Sequence, residues 1–377
     1  MAYLDHNATS PLRPEARAAM DAALATGGNA SSVHGAGRAA RALIERARDQ
    51  VAALVGARSQ DVIFTSGGTE ANTLGLWGAV QGAAESGKRI TRLFISAIEH
   101  DSVRANAAAI AERVPGVRLE TLPVTADGVL DLEAFRVALR EGKGRALVAI
   151  MAANNEIGVV QPLADIARLM AEHEGYLLID AIQAAGKTKI DLSPAHYITL
   201  SAHKLGGPQG AGALIAREGA PLAATVLGGG QERGLRAGTE NVAAIAGFSA
   251  AAAAAMPLSA TQRDRFESEL KKIVPDAVIF GANAPRLSNT SNFALPGIAA
   301  ETAVMALDLD GVMVSSGSAC SSGKVKPSHV LQAMGVTEAL AQSALRVSFG
   351  WNSTEADVDA AIAAIAKLTA RLARKAA

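Results

Sequence analysis

The 377-residue chain is 49% hydrophobic and 19% charged, which suits a large packed core and excludes a disordered chain. Lysine plus arginine and aspartate plus glutamate each number 36, so the formal net charge is zero and nucleic acid is not expected as a partner. The opening MAYLDHNATS has no basic stretch followed by an apolar one, and the most apolar run, 242–256, is too short and too rich in alanine to span a bilayer. No membrane association is expected, and a single cysteine without an export signal points to the cytoplasm.

Along the chain, residues 37–55 read as one long helix closed by Gly56. From about 60 to 216, short β-rich runs alternate with helical patterns. The runs are DVIFT (61–65), RLFIS (92–96), RLETLPV (118–124), ALVAIM (146–151), YLLIDA (176–181), YITLSA (197–202) and GALIA (212–216). Helical periodicity occupies 70–85, 101–113, 131–140 and 162–173 between them. This alternation predicts an α/β unit on a mostly parallel sheet. After about 256 the pattern changes to a helix at 259–273, short strands in VIFG and SNTSNFAL, a helix at 300–309, the stretch SSGSACSSG, and a last helix at 354–376. That predicts a smaller α+β unit, with Pro257 and Ser259 at the boundary.

Chemistry-bearing residues follow the apolar runs. Ser201, His203 and Lys204 close YITLSA and enter a glycine-rich turn, where α/β sheets bind ligands. Lysine is the side chain that condenses with an aldehyde cofactor, although a surface lysine fits the same residues. Asp180 ends YLLID, followed by Gln183; the carboxylate suits either a helix cap or a cationic ring nitrogen. Ser66, Gly67, Gly68 and Thr69 pass from a strand to a helix, as an ordinary turn capped by Thr69 or as a phosphate cradle at a helix N-terminus.

Glu99 and His100 follow another strand, and His100 reads either as a core histidine or as a ring-stacking proton carrier with an ordinary pKa of about 6.5. Asn154 and Asn155 follow ALVAIM as turn formers or ligand contacts. The glycine-rich 228–241, with Arg233 and Arg236, is an anion-binding or a floppy loop. Arg346, in an apolar strand, calls for a carboxylate, from the substrate or from the chain itself. Seven dispersed histidines and one cysteine give no metal-ligand spacing, and no glycine pattern fits a dinucleotide fold.

These motifs together resemble the cysteine desulfurases of the NifS/IscS type, in the class V aminotransferase group of fold-type I pyridoxal-phosphate enzymes. YLDHNATSPL, NASSVHGAGR, TSGGTE, EH, NNEIGVVQP, IDAIQAAGK, SAHKLGGPQG, GGGQERGLRAGTEN, SSGSACSSG and RVSFG carry the resemblance in the family's order over nearly the whole chain. It implies an α/β fold with a large cofactor domain at 15–256 on a mostly parallel mixed sheet. Residues 1–14 together with 257–377 would form a smaller α+β domain carrying the cysteine.

It also implies pyridoxal 5′-phosphate held covalently by Lys204, with Asp180 at the ring nitrogen, Gln183 at the ring hydroxyl and His100 stacked on the ring. Gly68, Thr69, Ser201 and His203 would bind the phosphate. Thr239 would reach the phosphate of the neighbouring subunit in a homodimer. Asn155, beside the cofactor, and Arg346 would hold the substrate carboxylate.

Cys320 would take sulfur from L-cysteine, leaving L-alanine and a persulfide that passes to an acceptor or iron–sulfur scaffold protein. No metal is expected within the chain alone, though Cys320 can transiently ligate a cluster together with a scaffold. A selenocysteine lyase or a transaminase of the same fold is the alternative. The serine and glycine around Cys320 lead us to expect residues 315–323 to be mobile, so that the thiol can reach the substrate and then its acceptor.

Overall fold

Strands buried on both faces are written as continuous apolar runs, and most of the seven runs between 61 and 216 take that form, whereas RLETL at 118–122 carries Arg118 and Glu120 and is largely exposed. The computed structural model describes residues 1–317 and 328–376. Its strands are β1 Ala2–Tyr3, β2 Val62–Thr65, β3 Ile90–Ser96, β4 Arg118–Leu122, β5 Arg145–Met151, β6 Gly175–Asp180, β7 Tyr197–Ser201, β8 Gly212–Ala216, β9 Val278–Ile279, β10 Thr290–Ala294, β11 Val312–Met313, β12 Ser315–Ser316 and β13 Ala344–Ser348. The seven runs form one sheet in the order β2-β8-β7-β6-β5-β3-β4, with β8 antiparallel to both of its neighbours and the other pairs parallel. The expected mixed, mostly parallel sheet is what forms.

Alternate side chains of the central strands feed two different cores. Val148 and Ile150 of β5 and Leu177 and Ile179 of β6 pack on one face. Leu147 and Ala149, with Tyr176 and Leu178, pack on the other. This is the two-residue period of a strand covered by helices on both sides. Helix starts follow local chemistry. Asp131 accepts from the N–H groups of Glu133 and Ala134, and Asn241 accepts from that of Ala244. The long helix runs over Gly35–Leu54, two residues earlier than its periodicity indicates, because His34 caps it through the Gly37 N–H.

The last third builds a four-stranded antiparallel sheet, β12-β13-β10-β9, and a short parallel pairing of β1 with β11. Its core joins Phe266, Phe293, Leu345 and Phe349 with Ala2 and Leu4 from the other end of the chain. Ser315 and Ser316 are paired with Arg346 and Leu345, so the first two residues of the expected mobile stretch belong to a sheet. Residues 318–323, including Cys320, lie outside the described residues.

The N-terminal segment then crosses from the small sheet to the large one. The Asn7 N–H donates to Ser348 Oγ at 2.9 Å, and the Ser10 N–H donates to the His203 carbonyl at 2.8 Å.

The glycine-rich 228–241 is anchored at its central turn, and both of its arginines are engaged within the chain. Glu232 and Arg233 sit at φ +46° and +59°, a conformation side chains other than glycine rarely adopt. A buried, two-pronged ion pair from Arg48 to Glu232 (2.6 and 2.7 Å) and the Phe64 N–H (2.9 Å) hold the turn. Arg233 donates to the Val62 carbonyl, and Arg236 is paired with Glu70 at 2.7 Å. Glu232→Ala leaves Arg48 charged and buried, so it should cost roughly 3–5 kcal/mol in denaturant unfolding. The double variant Arg48→Met with Glu232→Leu should cost clearly less than that single change, because no charge is stranded.

Candidate active site

Five strands running in the same direction deliver their carboxyl ends to one cleft of about 300 Å³. β2 leads to Gly67 and the helix Gly68–Glu85, β3 to Glu99 and His100, and β5 to Ala153 and Asn155. β6 ends on Asp180 before Ile182 and Gln183, and β7 ends on Ser201 before His203 and Lys204. Gly68, Thr69, His100, Asn155, Asp180, Gln183, Ser201, His203 and Lys204 all line this cleft. Thr239 is exposed and outside the cleft lining. Arg346 is fully buried, outside the lining but bonded to the Asn155 carbonyl. Cys320 lies outside the described residues.

Lys204 occupies a short helical turn, Ala202–Lys204, directly after β7. Its Nζ donates to the carbonyls of Asn7 (2.6 Å) and Ala8 (2.7 Å). Asp180 makes a local cap and also lines the cleft. One carboxylate oxygen accepts from the Ile182 N–H at 3.0 Å, as a local cap does. The other accepts from Asn72 Nδ2 at 2.9 Å inside the cleft wall. Burial pushes the Asp180 carboxyl up, and the bonds from Asn72 and Ile182 with the charges of His100 and Lys204 pull it back.

His100 caps the helix Asp101–Arg113 while lining the cleft. Its Nδ1 accepts from the Ser102 N–H at 3.1 Å. Asn72 Nδ2 also donates to Ser102 Oγ (2.9 Å), so one amide ties the His100 turn to Asp180.

Part of the lining is a helix start, at Gly68 and Thr69. The helix Gly68–Glu85 is capped by Gly67 rather than by Thr69, which leaves the Thr69 hydroxyl uncommitted as a cap. A Cβ on Gly68 would fall 2.3 Å from Ile182 Cδ1, so glycine lets the helix start against this wall without displacing the Ile182 side chain. The first N–H groups of that helix favour negative charge. Burial, with the charges of Lys204 and Lys187, pushes the His203 imidazole down to about 4.

Arg346 satisfies the internal reading. Nη2 pairs with Asp5 at 2.6 Å, Nη1 donates to the Asn155 carbonyl at 3.0 Å, and its buried Nε has no hydrogen-bond partner among the described residues. Sequence reasoning missed four groups: Asp5, Asn7, Asn72 and Lys187. Asn72 carried a signal, being a polar residue one helical turn after Gly68 among the buried Ala71, Leu74 and Gly75. Lys187 stands one helical step from Gln183 in IDAIQAAGK.

These residues fit pyridoxal 5′-phosphate. A lysine amine, a buried carboxylate for a cationic nitrogen and a helix N-terminus for a phosphate share one cleft of suitable size.

Residues 2–361 match the aminotransferase class-V family. An IscS-like cysteine desulfurase of Mycobacterium tuberculosis is 40% identical, the match covering 100% of this chain and 98% of that protein. A cysteine desulfurase of Cereibacter sphaeroides is 42% identical over 95% of this chain and 92% of its own. The solved structure of a NifS-like protein from Rickettsia africae superposes with a TM-score of 0.86 at 34% identity, covering 98% of this chain and 99% of that one. The chain belongs to the class V aminotransferase family and has its fold-type I architecture, and pyridoxal 5′-phosphate is the family's cofactor.

Behind the cleft, the Glu99 carboxyl is fully buried. One oxygen accepts from Ser96 Oγ (2.6 Å) and the Met151 N–H (2.9 Å), and the other has no partner among the described residues. Burial pushes it from 4.5 up to about 8. A carboxyl whose folded value is raised binds its proton more tightly folded than unfolded. Its contribution is therefore whole below 4.5 and is lost as pH rises through 8. Glu156 does the same up to about 7. Glu99→Gln should flatten the fall in stability across the upper part of this range, read from denaturant midpoints at successive pH values. An unchanged slope would show that Glu99 is already ionised in the folded protein.

Proposed function

We propose that this chain is a pyridoxal-phosphate-dependent cysteine desulfurase that converts L-cysteine to L-alanine and a persulfide on Cys320. The supporting observation is the gathering of Lys204, Asp180, Gln183, His100 and the Gly68 helix start on one cleft at five strand ends. The persulfide would pass to an acceptor for iron–sulfur cluster assembly. We assign residues 15–256 to a large domain, and 1–14 with 257–377 to a small one.

When bound, the cofactor draws electron density from the substrate Cα. Asp180, oriented by Asn72, holds the positive charge of the ring nitrogen. The Gly68–Thr69 helix start, Ser201 and His203 hold the phosphate. Asn155 and Arg346 hold the substrate carboxylate, with Arg346 already turned toward Asn155 by its bond to that carbonyl. Lys204 would take the Cα proton and return it to Cα once the Cβ–S bond has broken. His100 carries a proton beside the ring.

The Cys320 thiolate attacks the substrate sulfur. The Cβ–S bond breaks, an S–S bond forms, and the electron pair left on Cβ takes a proton to give alanine. A thiol of ordinary pKa, about 8.5, is mostly protonated at neutral pH, so the site must favour its thiolate. A homodimer in which Thr239 reaches the partner's phosphate suits the exposed position of that residue. A cytoplasmic location suits the lone thiol, and no described helix is long and apolar enough to cross a membrane.

Cys320→Ala should abolish sulfide release from L-cysteine while the Lys204-dependent cofactor absorbance survives. Mass spectrometry of the wild type after L-cysteine should find one or more added sulfur atoms on the Cys320 peptide. Full activity in Cys320→Ala would sink this mechanism.

A further inference from the structure

Lys187 is a lysine with no evident reason to be buried. It is only 6% exposed, and its Nζ donates to two neutral amide oxygens, Gln183 Oε1 at 2.6 Å and Asn7 Oδ1 at 3.2 Å. The charged and titratable groups facing it are Lys204 and Arg346, with His6 and His203 close enough to be lowered by its charge. Burial beside such neighbours is costly, so the position calls for a compensating role. Lys187 does not line the cleft. It borders a small cavity behind the cleft wall, beside His6 and Trp351.

What Lys187 controls is the orientation of the Gln183 amide. Burial, with the charges of Lys204 and Arg346, pushes the Lys187 ammonium well down; while charged it only donates, and a backbone carbonyl only accepts. Gln183 Oε1 faces Lys187, and Gln183 Nε2 donates to the Asn7 carbonyl at 2.9 Å. Turning the amide over would set two donors against each other at Lys187 and two acceptors at Asn7. The Gln183 oxygen is thus held behind the wall, and the second N–H of Nε2 is the hydrogen left for the cleft that Gln183 lines.

We propose that Lys187 is a positioning residue that makes Gln183 an obligate hydrogen-bond donor to the ring oxygen of the cofactor, and so favours the anionic form of that oxygen. This inference rests on the cofactor reading above and fixes the sense of one of its contacts. A donor at the ring oxygen lets the proton shared beside it leave at lower pH. Loss of the donor moves that titration upward.

The test uses the full-length protein loaded with pyridoxal 5′-phosphate, titrated by visible absorbance in wild type, Lys187→Met, Gln183→Met and the double variant. Lys187→Met should raise the absorbance midpoint by about one pH unit, the worth of one ordinary hydrogen bond. The double variant should match Gln183→Met alone. An unchanged midpoint in Lys187→Met overturns the proposal. So does a shift of full size in the Gln183→Met background, which would mean that Lys187 acts through space.

If Lys187→Met does not fold, Gln183→Glu serves instead. It keeps Lys187 partnered but offers only an acceptor to the ring, so the midpoint should rise by more than about one unit, and no rise overturns the proposal. A wild type without any absorbance that Lys204→Ala removes would sink the cofactor reading itself, and this inference with it.

Discussion

The site is assembled around Asn7. Its carbonyl accepts from Lys204 and Gln183, its Oδ1 from Lys187 and Asn289, and its Nδ2 donates to Thr290 Oγ1 and the Asn155 carbonyl. Asn7 is 1% exposed, so each of these bonds replaces water that is no longer within reach. A buried network of this kind is stable only when every member is satisfied, and then it permits one arrangement. Here that arrangement joins β6, β7, the Asn155 turn and the small antiparallel sheet through a segment that begins at the chain's own N-terminus.

The charge balance explains what the cleft is ready to receive. Lys204 and Arg346 supply positive charge around it, burial pushes the Lys187 ammonium well down, and Asp180 and Asp5 are the carboxylates bonded nearby. Glu99 and Glu156, also buried nearby, are pushed up to about 8 and about 7, so much of their negative charge is withheld at neutral pH. A site held this way favours ligands that bring anions, and a phosphate and an amino-acid carboxylate are two such groups. Asp5 on Arg346 keeps the guanidinium extended and partnered, so its direction is set before any carboxylate arrives.

The parts of this picture written locally were legible in the sequence. Short β-rich runs bounded by turn residues marked all seven strands of the large sheet, and residues at or just past the carboxyl ends of five of them proved to share a cleft. Such placement needs only the chain direction of a parallel sheet. Resemblance to a family then gave the roles. Arg346 and the 228–241 loop were less legible, because a charged side chain announces only that it needs a partner. The partners are Asp5 for Arg346, and Arg48 and Glu70 for the loop, and all three pairings span more than 150 residues.

Asn7 and Lys187 were illegible, and Asn72 was legible only as a polar residue among buried helix positions, for a related reason. None follows a strand end, and each acts by orienting another side chain rather than by facing the cleft with a reactive group. An asparagine in a turn, an asparagine on a helix and a lysine after a glycine are each ordinary taken singly. Their meaning depends on being buried where every donor needs an acceptor, a condition that only the folded arrangement imposes. The residues expected to react can therefore be named from strand ends alone. The residues that orient them come from packing against the sheet: the helix Gly68–Glu85 brings Asn72 to Asp180, and the N-terminal segment with Lys187 sets the sense of the Gln183 amide.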